Sequence, residues 1–203
     1  MVITALHGFL GAPSDWNFLR AAGFAIEAPK LDAIPPRGDI LLGYSLGGRL
    51  ALHALLAGAH YERAIFISTG LGIEDESARA ARRARDEAWA HRFESDDWDA
   101  VITAWNSQPV LAGPALPRTR DDYDPRALRE WSSAVLPPVA SRLHELNLPT
   151  LWIAGARDTK YVAEAHRAAS LAPNARVAIV ENAGHRVPWE QQEAFIEIVR
   201  TFV

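Results

Sequence analysis

The chain has 203 residues, enough for one domain with a substantial buried core. Its 49% hydrophobic and 23% charged residues are ordinary for a soluble globular protein, and a net charge of −4 argues against a generally basic, nucleic-acid-binding surface. There is no cysteine, which excludes disulfides, thiolate metal sites and a cysteine nucleophile.

Val2 to Leu6 is a short apolar run that turns at His7-Gly8-Phe9-Leu10-Gly11. No charged leader with a long apolar core precedes it and no membrane span is visible, so a cytoplasmic location is expected. Ser14 or Asp15 can cap a helix reaching Ala22, with Trp16 and Leu19 on one face. Phe24 to Ala28 is a second strand, and Pro35, Pro36 and Gly38 make a loop. Asp39 to Tyr44 is the third strand, Ser45 to about Ala59 a helix, and Arg63 to Ser68 a fourth strand. This alternation predicts a parallel sheet covered on both faces.

The third strand ends in Gly43-Tyr44-Ser45-Leu46-Gly47, the pattern G-x-S-x-G, and a helix follows at once. A turn this sharp lifts a serine hydroxyl above the strand end and leaves no room for a Cβ on either side. The Leu46 amide, at the helix N-terminus, is left free to stabilise a developing oxyanion.

From Leu71 to about Leu146 no strand-like run appears. Asp75 to Phe93 is an Ala- and Arg-rich helix, and Trp98, Val101, Ile102 and Trp105 form one helical stripe. Residues 106–124 read as loop. Ala127, Leu128 and Trp131 suggest another helix, stopped by Pro137-Pro138. Residues 71–146 are therefore expected to be a helical cap inserted into a core of 1–70 and 147–203. The rhythm then resumes. Thr150 to Ala154 is strand five, Val162 to Leu171 a helix and Arg176 to Val180 strand six. Pro188 opens a last helix with Trp189, Phe195, Ile196, Val199 and Phe202 on its apolar face.

In an open parallel sheet, functional residues gather at the carboxyl ends of strands. Four such ends carry candidates: His7-Gly8-Phe9, Ser45, Asp158 and His185. A serine needs a base, the base a carboxylate to hold its tautomer, and the intermediate two N–H donors. Ser45, His185, Asp158 and the amides of Phe9 and Leu46 supply them. Alone, His185 reads as a structural histidine and Asp158 as a turn residue. Together and in the order Ser, Asp, His, they point to a triad.

With these motifs the whole chain resembles the α/β-hydrolases, in a reduced form, because two strands that usually precede the His-Gly strand are missing. The resemblance implies a sheet of about six parallel strands with a cap, and a structural role for His7. Within that superfamily the chain is similar to the MenH family, the 2-succinyl-6-hydroxy-2,4-cyclohexadiene-1-carboxylate (SHCHC) synthases. The motifs that carry this are His7 to Gly11 with Asp15-Trp16, Gly43 to Leu50, Trp89 to Phe93, Trp105 to Val110, Gly155 to Lys160 and Ala183-Gly184-His185. The resemblance implies a lyase acting on a small anionic substrate, without metal or cofactor. It also implies substrate contacts for Tyr44, Arg49, Arg82 and Trp105.

Arg49 lies four residues after Ser45 and shares its helix face. For Arg79, Arg83 and Arg85 the expected role is a solvated face paired with Glu76, Asp86 and Glu87. The stretch Asp121 to Ser141 is shorter than in the MenH family and lacks a further substrate arginine and a Gly-Thr-Gln-Pro segment. Leu136-Pro137 with Arg142-Leu143 echoes it in part, and Arg126 or Arg129 is a possible substitute. The alternative activity is a serine hydrolase cutting a small ester or carbon–carbon bond through an acyl-enzyme. A non-catalytic binding protein is disfavoured, because it has no use for a base positioned on a serine. The expected assembly is a monomer or homodimer, with no nucleic-acid partner.

Overall fold

Aliphatic runs buried on both faces make the sheet. In the computed structural model, which describes residues 1–203, the strands are β1 (Val2–Leu6), β2 (Ala25–Glu27), β3 (Arg37–Tyr44), β4 (His60–Ile67), β5 (Thr150–Gly155) and β6 (Ala175–Val180). The helices are α1 (Asn17–Ala21), α2 (Leu46–Leu56), α3 (Glu76–Ser95), α4 (Trp98–Asn106), α5 (Arg126–Arg129), α6 (Thr159–Leu171), α7 (Val187–Glu190) and α8 (Gln192–Phe202). No helix is long and apolar enough to cross a membrane.

The strands pair in the order β2-β1-β3-β4-β5-β6, every pair parallel. From β1 the chain passes to β2 on one side, and from β3 to β4 on the other. The winding therefore reverses between β1 and β3, and such sheets hold ligands in the crevice beyond the strand ends at that point. Side chains alternate along β3. Leu41 joins a core with Leu50 and Leu52 of α2, Phe66, Trp152 and Ala165 of α6, while Ile40 and Leu42 join Trp16, Leu19, Phe195 and Val199 on the opposite face.

The turn from β3 to α2 is the sharpest point of the chain. Ser45 has φ 53° and ψ −110°, a conformation that costs a non-glycine residue on the order of 1–3 kcal/mol. Its amide donates to the Ile67 carbonyl (2.8 Å), and its carbonyl accepts from the Arg49 amide (3.1 Å). A Cβ on Gly43 would lie 2.6 Å from the Gly48 Cα. One on Gly47 would lie 2.6 Å from the Leu6 carbonyl oxygen and closer still to that of His7. The two flanking glycines let α2 begin directly against the ends of β1 and β3.

Between β4 and β5 the chain is helical and irregular. Asp75 caps α3 by accepting from the Ala78 amide (2.7 Å), and Asp97 caps α4 by accepting from that of Ala100 (3.0 Å). Ala90, Phe93, Val101 and Leu128 bury a small third core against Leu10 of the loop after β1.

Three helices differ from expectation. α1 is only Asn17–Ala21 behind a 3-10 turn over Pro13–Trp16, and neither Ser14 nor Asp15 caps it, the Asp15 carboxylate accepting instead from the Ala12 amide. α5 is a single turn and does not run to Pro137. Beyond it the Ser132 hydroxyl accepts from the Ala134 amide, a local bond that competes with helix continuation. The last helix is two, α7 and α8, broken at Gln191 (φ −137°, ψ 63°), where the neighbouring Glu190 carboxylate turns back to the backbone of residues 184 and 186.

The close approach at Gly47 has a measurable consequence. Gly47→Ala is expected to lower unfolding free energy by about 1–3 kcal/mol through overpacking. A urea midpoint equal to that of the parent protein would remove this steric account of the turn.

Candidate active site

The ends of β3, β5 and β6 bring together three side chains. The His185 Nδ1 lies 2.7 Å from Asp158 Oδ2, and its Nε2 lies 3.1 Å from Ser45 Oγ. An ionised carboxylate only accepts, so Nδ1 carries a proton and Nε2 is left to accept from the serine hydroxyl. Asp158, at the start of α6, also accepts from the Tyr161 amide. His185 and Asp158 are buried, while Ser45 is half-buried and opens into a pocket. Tyr161 and Tyr44 pack on the imidazole at ring distances of 4.6 and 5.6 Å. Such a chain can raise the nucleophilicity or basicity of Ser45 Oγ.

The amides of Phe9 and Leu46 donate to no protein acceptor, and both residues line the pocket beside Ser45. Leu46 is the first residue of α2, so its free N–H carries the positive end of the helix. The Phe9 ring is fixed by Trp105 (4.8 Å) and Phe93 (5.3 Å). His7 lies outside the serine's hydrogen-bond chain. Its Nδ1 bonds the Gly8 carbonyl at 2.9 Å, and burial pushes its pKa down.

The pocket has a volume of about 370 Å³ and receives Tyr44, Arg49, Arg82 and Trp105 along with Ser45 and His185. Burial pushes the Tyr44 phenol well above its ordinary pKa. Arg49 is 3% exposed. Its guanidinium donates to the carbonyls of Pro137 (3.0 Å), Gly70 and Leu136 (both 3.5 Å), its Nε has no partner, and no carboxylate pairs with it. Burial pushes its pKa down to about 10. Arg82 is held through Nε by the buried Asp86 carboxylate at 2.7 Å.

The other arginines follow expectation in part: Arg79 pairs with Glu76 (3.8 Å), and Arg83 and Arg85 are exposed. Arg79 and Arg83 reach across to the Ala134 carbonyl and tie α3 to the loop after α5, and Arg85 lies at the pocket rim. Arg126 and Arg129 do not reach the pocket. Arg126 is bound by Asp124 and Asp32, and Arg129 by Glu87 and Glu94, so each guanidinium is neutralised twice on the outer surface. Arg142 pairs with Glu145 there as well. Leu136 and Pro137 meet Arg49 rather than the cavity.

Several residues without a sequence signal position the site. Ser68, buried with φ 46°, donates to the His185 carbonyl (2.8 Å). The Glu190 carboxylate, 2% exposed, accepts from the amides of Gly184 (2.8 Å) and Arg186 (3.0 Å) and from the Arg157 side chain. It thereby clamps the backbone on both sides of His185. A Glu in a short helix gives no hint of this, because its partners are backbone amides brought in by the fold. Glu190→Ala is expected to cost about 2–4 kcal/mol of stability, since two buried donors lose their charged acceptor. Chemical denaturation reads this directly, and a change below about 0.5 kcal/mol, the range of ordinary surface substitutions, would contradict the clamp.

Residues 3–198 match the alpha/beta hydrolase family. The chain is 32% identical over 168 residues to the 2-succinyl-6-hydroxy-2,4-cyclohexadiene-1-carboxylate synthases of Salmonella enteritidis and Salmonella typhimurium, an alignment that covers 77% of this chain. It spans 65% of the length of those relatives. Among solved structures, MenH from S. aureus superposes with a TM-score of 0.88 at 24% identity, over 100% of this chain and 92% of that one. The carboxylesterase CesB of Bacillus subtilis does so with a TM-score of 0.67 at 20% identity, over 99% and 82%. At such identities these two likenesses speak for the fold alone. The match over nearly the whole chain, on a parallel six-stranded sheet, is the ground for one statement: this chain belongs to the α/β-hydrolase family.

Proposed function

We propose that the protein is a MenH-type carbon–oxygen lyase of menaquinone biosynthesis. It would eliminate pyruvate from 2-succinyl-5-enolpyruvyl-6-hydroxy-3-cyclohexene-1-carboxylate to give SHCHC. The observation that carries this reading is Arg49, a cation buried in the pocket wall with no carboxylate partner. A buried guanidinium that meets only carbonyl oxygens is under-compensated, and a bound carboxylate would complete it. The names of the Salmonella relatives point to a substrate of that kind. Arg82, oriented by Asp86, would supply a further cation, and residues 71–146 would act as a cap over the reacting centre.

In this reading His185 takes the Ser45 proton, with Asp158 holding the imidazole in orientation. The serine oxygen removes the ring C2 proton beside the succinyl carbonyl. The carbonyl oxygen gains charge and is met by the amides of Phe9 and Leu46. The electron pair returns to form the C2–C3 double bond, the C3–C4 double bond moves to C4–C5, and the C5–O bond breaks. The departing enolpyruvyl oxygen takes the electron pair and leaves, once protonated, as pyruvate. Trp89 and Trp105 would shield the ring from water.

A serine esterase using the same Ser45–His185–Asp158 chain is the second reading, since that hydrogen-bonded chain can equally activate the serine as a nucleophile. One assay separates the two: pyruvate release from the cyclohexene substrate, with Ser45→Ala as the blank. The lyase reading expects release to fall about 10³-fold or more in that variant. Absence of serine-dependent release, with hydrolysis of simple esters, would transfer the protein to the esterases. Arg49→Ala is expected to raise KM for the anionic substrate about 10- to 100-fold, the worth of one charged hydrogen bond. On a neutral ester the change should stay within about threefold, well short of that worth. Equal losses on both would sink the carboxylate role of Arg49.

A further inference from the structure

The pocket's charges do not balance. Arg49, Arg82, Arg85, Arg118, Lys160 and Arg186 line it, against only two carboxylates, Asp15 and Asp86. Asp15 is taken bidentately by Arg118, with both bonds at 2.8 Å, and Asp86 is taken by Arg82. Arg85 is exposed at the rim, where water screens it, and Lys160, also at the rim, has Asp158 and Glu164 as carboxylate neighbours while partial burial pushes its pKa down. Two arginines remain, one buried and one half-buried, that pair with no carboxylate. One is Arg49. The other is Arg186, the residue after His185.

The Arg186 guanidinium donates to the Pro114 carbonyl (3.1 Å) and to the Asn106 side-chain oxygen, both neutral. The nearby Glu190 carboxylate is spent on the Arg186 backbone amide, the Gly184 amide and Arg157. The remaining N–H groups of the Arg186 fork are free for a planar anion. Arg49 and Arg186 stand on different walls. Arg49 is fixed by Gly70 and Pro137 and has Tyr161 and Glu164 as its charged or titratable neighbours. Arg186 is fixed by Asn106 and Pro114 and has Tyr44, Arg118 and Glu190.

We propose that Arg186 is a second anion anchor of the pocket, binding a carboxylate of the substrate on the His185 side while Arg49 binds another on the α2 side. The ligand class is a compact molecule with at least two carboxylates spaced across Ser45. This deepens the lyase reading and rests on it for the identity of the substrate. Arg186 is thereby a specificity-determining residue.

The test uses the intact protein and a probe that does not depend on turnover. Ser45 is labelled with a fluorophosphonate, and protection is titrated with 2-succinylbenzoate, a dianion, and with its uncharged dimethyl ester. Each variant is read against its own unprotected labelling rate. In the parent protein the dianion is expected to protect. In Arg186→Gln its half-protecting concentration should rise about tenfold or more, the worth of a charged hydrogen bond, with the diester moving about threefold at most. Arg186→Lys, which keeps the charge, should restore most of the dianion's protection.

An equal loss for dianion and diester, or a failure of the lysine to rescue, would overturn the proposal and make Arg186 a strap holding residues 106–114. Protection unchanged in Arg186→Gln, or absent in the parent protein, would overturn it too. Arg186-dependent protection in a protein that releases no pyruvate would support the anchor and refute the lyase reading, so the two fail separately.

Discussion

The strained backbone at Ser45 is the constraint on which the site depends. A residue at φ 53° and ψ −110° keeps that conformation only if the chain on both sides is over-determined. On one side β3 lies between β1 and β4, with Leu41 and Leu42 packed into opposite cores. On the other, α2 rests on the ends of β1 and β3 with no gap for a Cβ at residues 43 or 47. The free Leu46 amide and the outward serine hydroxyl are two results of the same turn. Relaxing it would lose both at once.

The amide opposite has a different support. Phe9 follows β1 in the loop, and its ring is packed among Phe93, Trp105 and Tyr123 from the segment between β4 and β5. The wall over the pocket and the position of the Phe9 amide are thus set by one aromatic cluster. A further strut is the Arg118–Asp15 pair, largely withdrawn from water and bidentate, which ties the same segment to the turn before α1. Losing one partner of such a pair would leave a charge uncompensated in a poorly hydrated place, so the strut resists opening.

What could be read from the sequence is what local geometry dictates. The glycines at 43 and 47, the apolar runs of β1 to β6 and the stripe of Trp98, Val101, Ile102 and Trp105 are fixed by short-range sterics and periodicity. The candidates Ser45, Asp158 and His185 could be named because each follows a strand, and the structure places them within hydrogen-bond distance. Pairings made by the fold left no such mark. Arg126 and Arg129 look free in sequence and are neutralised by Asp32, Glu87 and Glu94 from distant segments. Arg79 and Arg83 keep the expected outer face, Arg79 with its Glu76 partner, and in addition donate to the Ala134 carbonyl, a contact the sequence does not mark. Ser68 and Glu190 act on backbone groups, which every residue carries, so nothing in the sequence marks them. α5 stops short of Pro137 for a related reason, because the Ser132 side-chain bond competes with the apolar spacing of Leu128 and Trp131.

Under the proposed reading, the charge distribution ties specificity to the core of the fold rather than to the segment above it. With the guanidinium groups of residues 126 and 129 neutralised on the surface, the pocket arginines that are buried or half-buried and pair with no carboxylate follow Ser45 by four residues and His185 by one. Both are attached to the ends of rigid strands through the same short turns that place the serine and the histidine. An anion held there is oriented by the elements that carry the reacting groups, so misplacement between binding and chemistry is small. The segment between β4 and β5 then has a lesser electrostatic duty. It lends Arg49 the carbonyl oxygens of Leu136 and Pro137 and lends Arg186 the neutral acceptors Asn106 and Pro114. Neutral acceptors fix a guanidinium without discharging it, so under the proposed reading its charge stays available to a substrate anion.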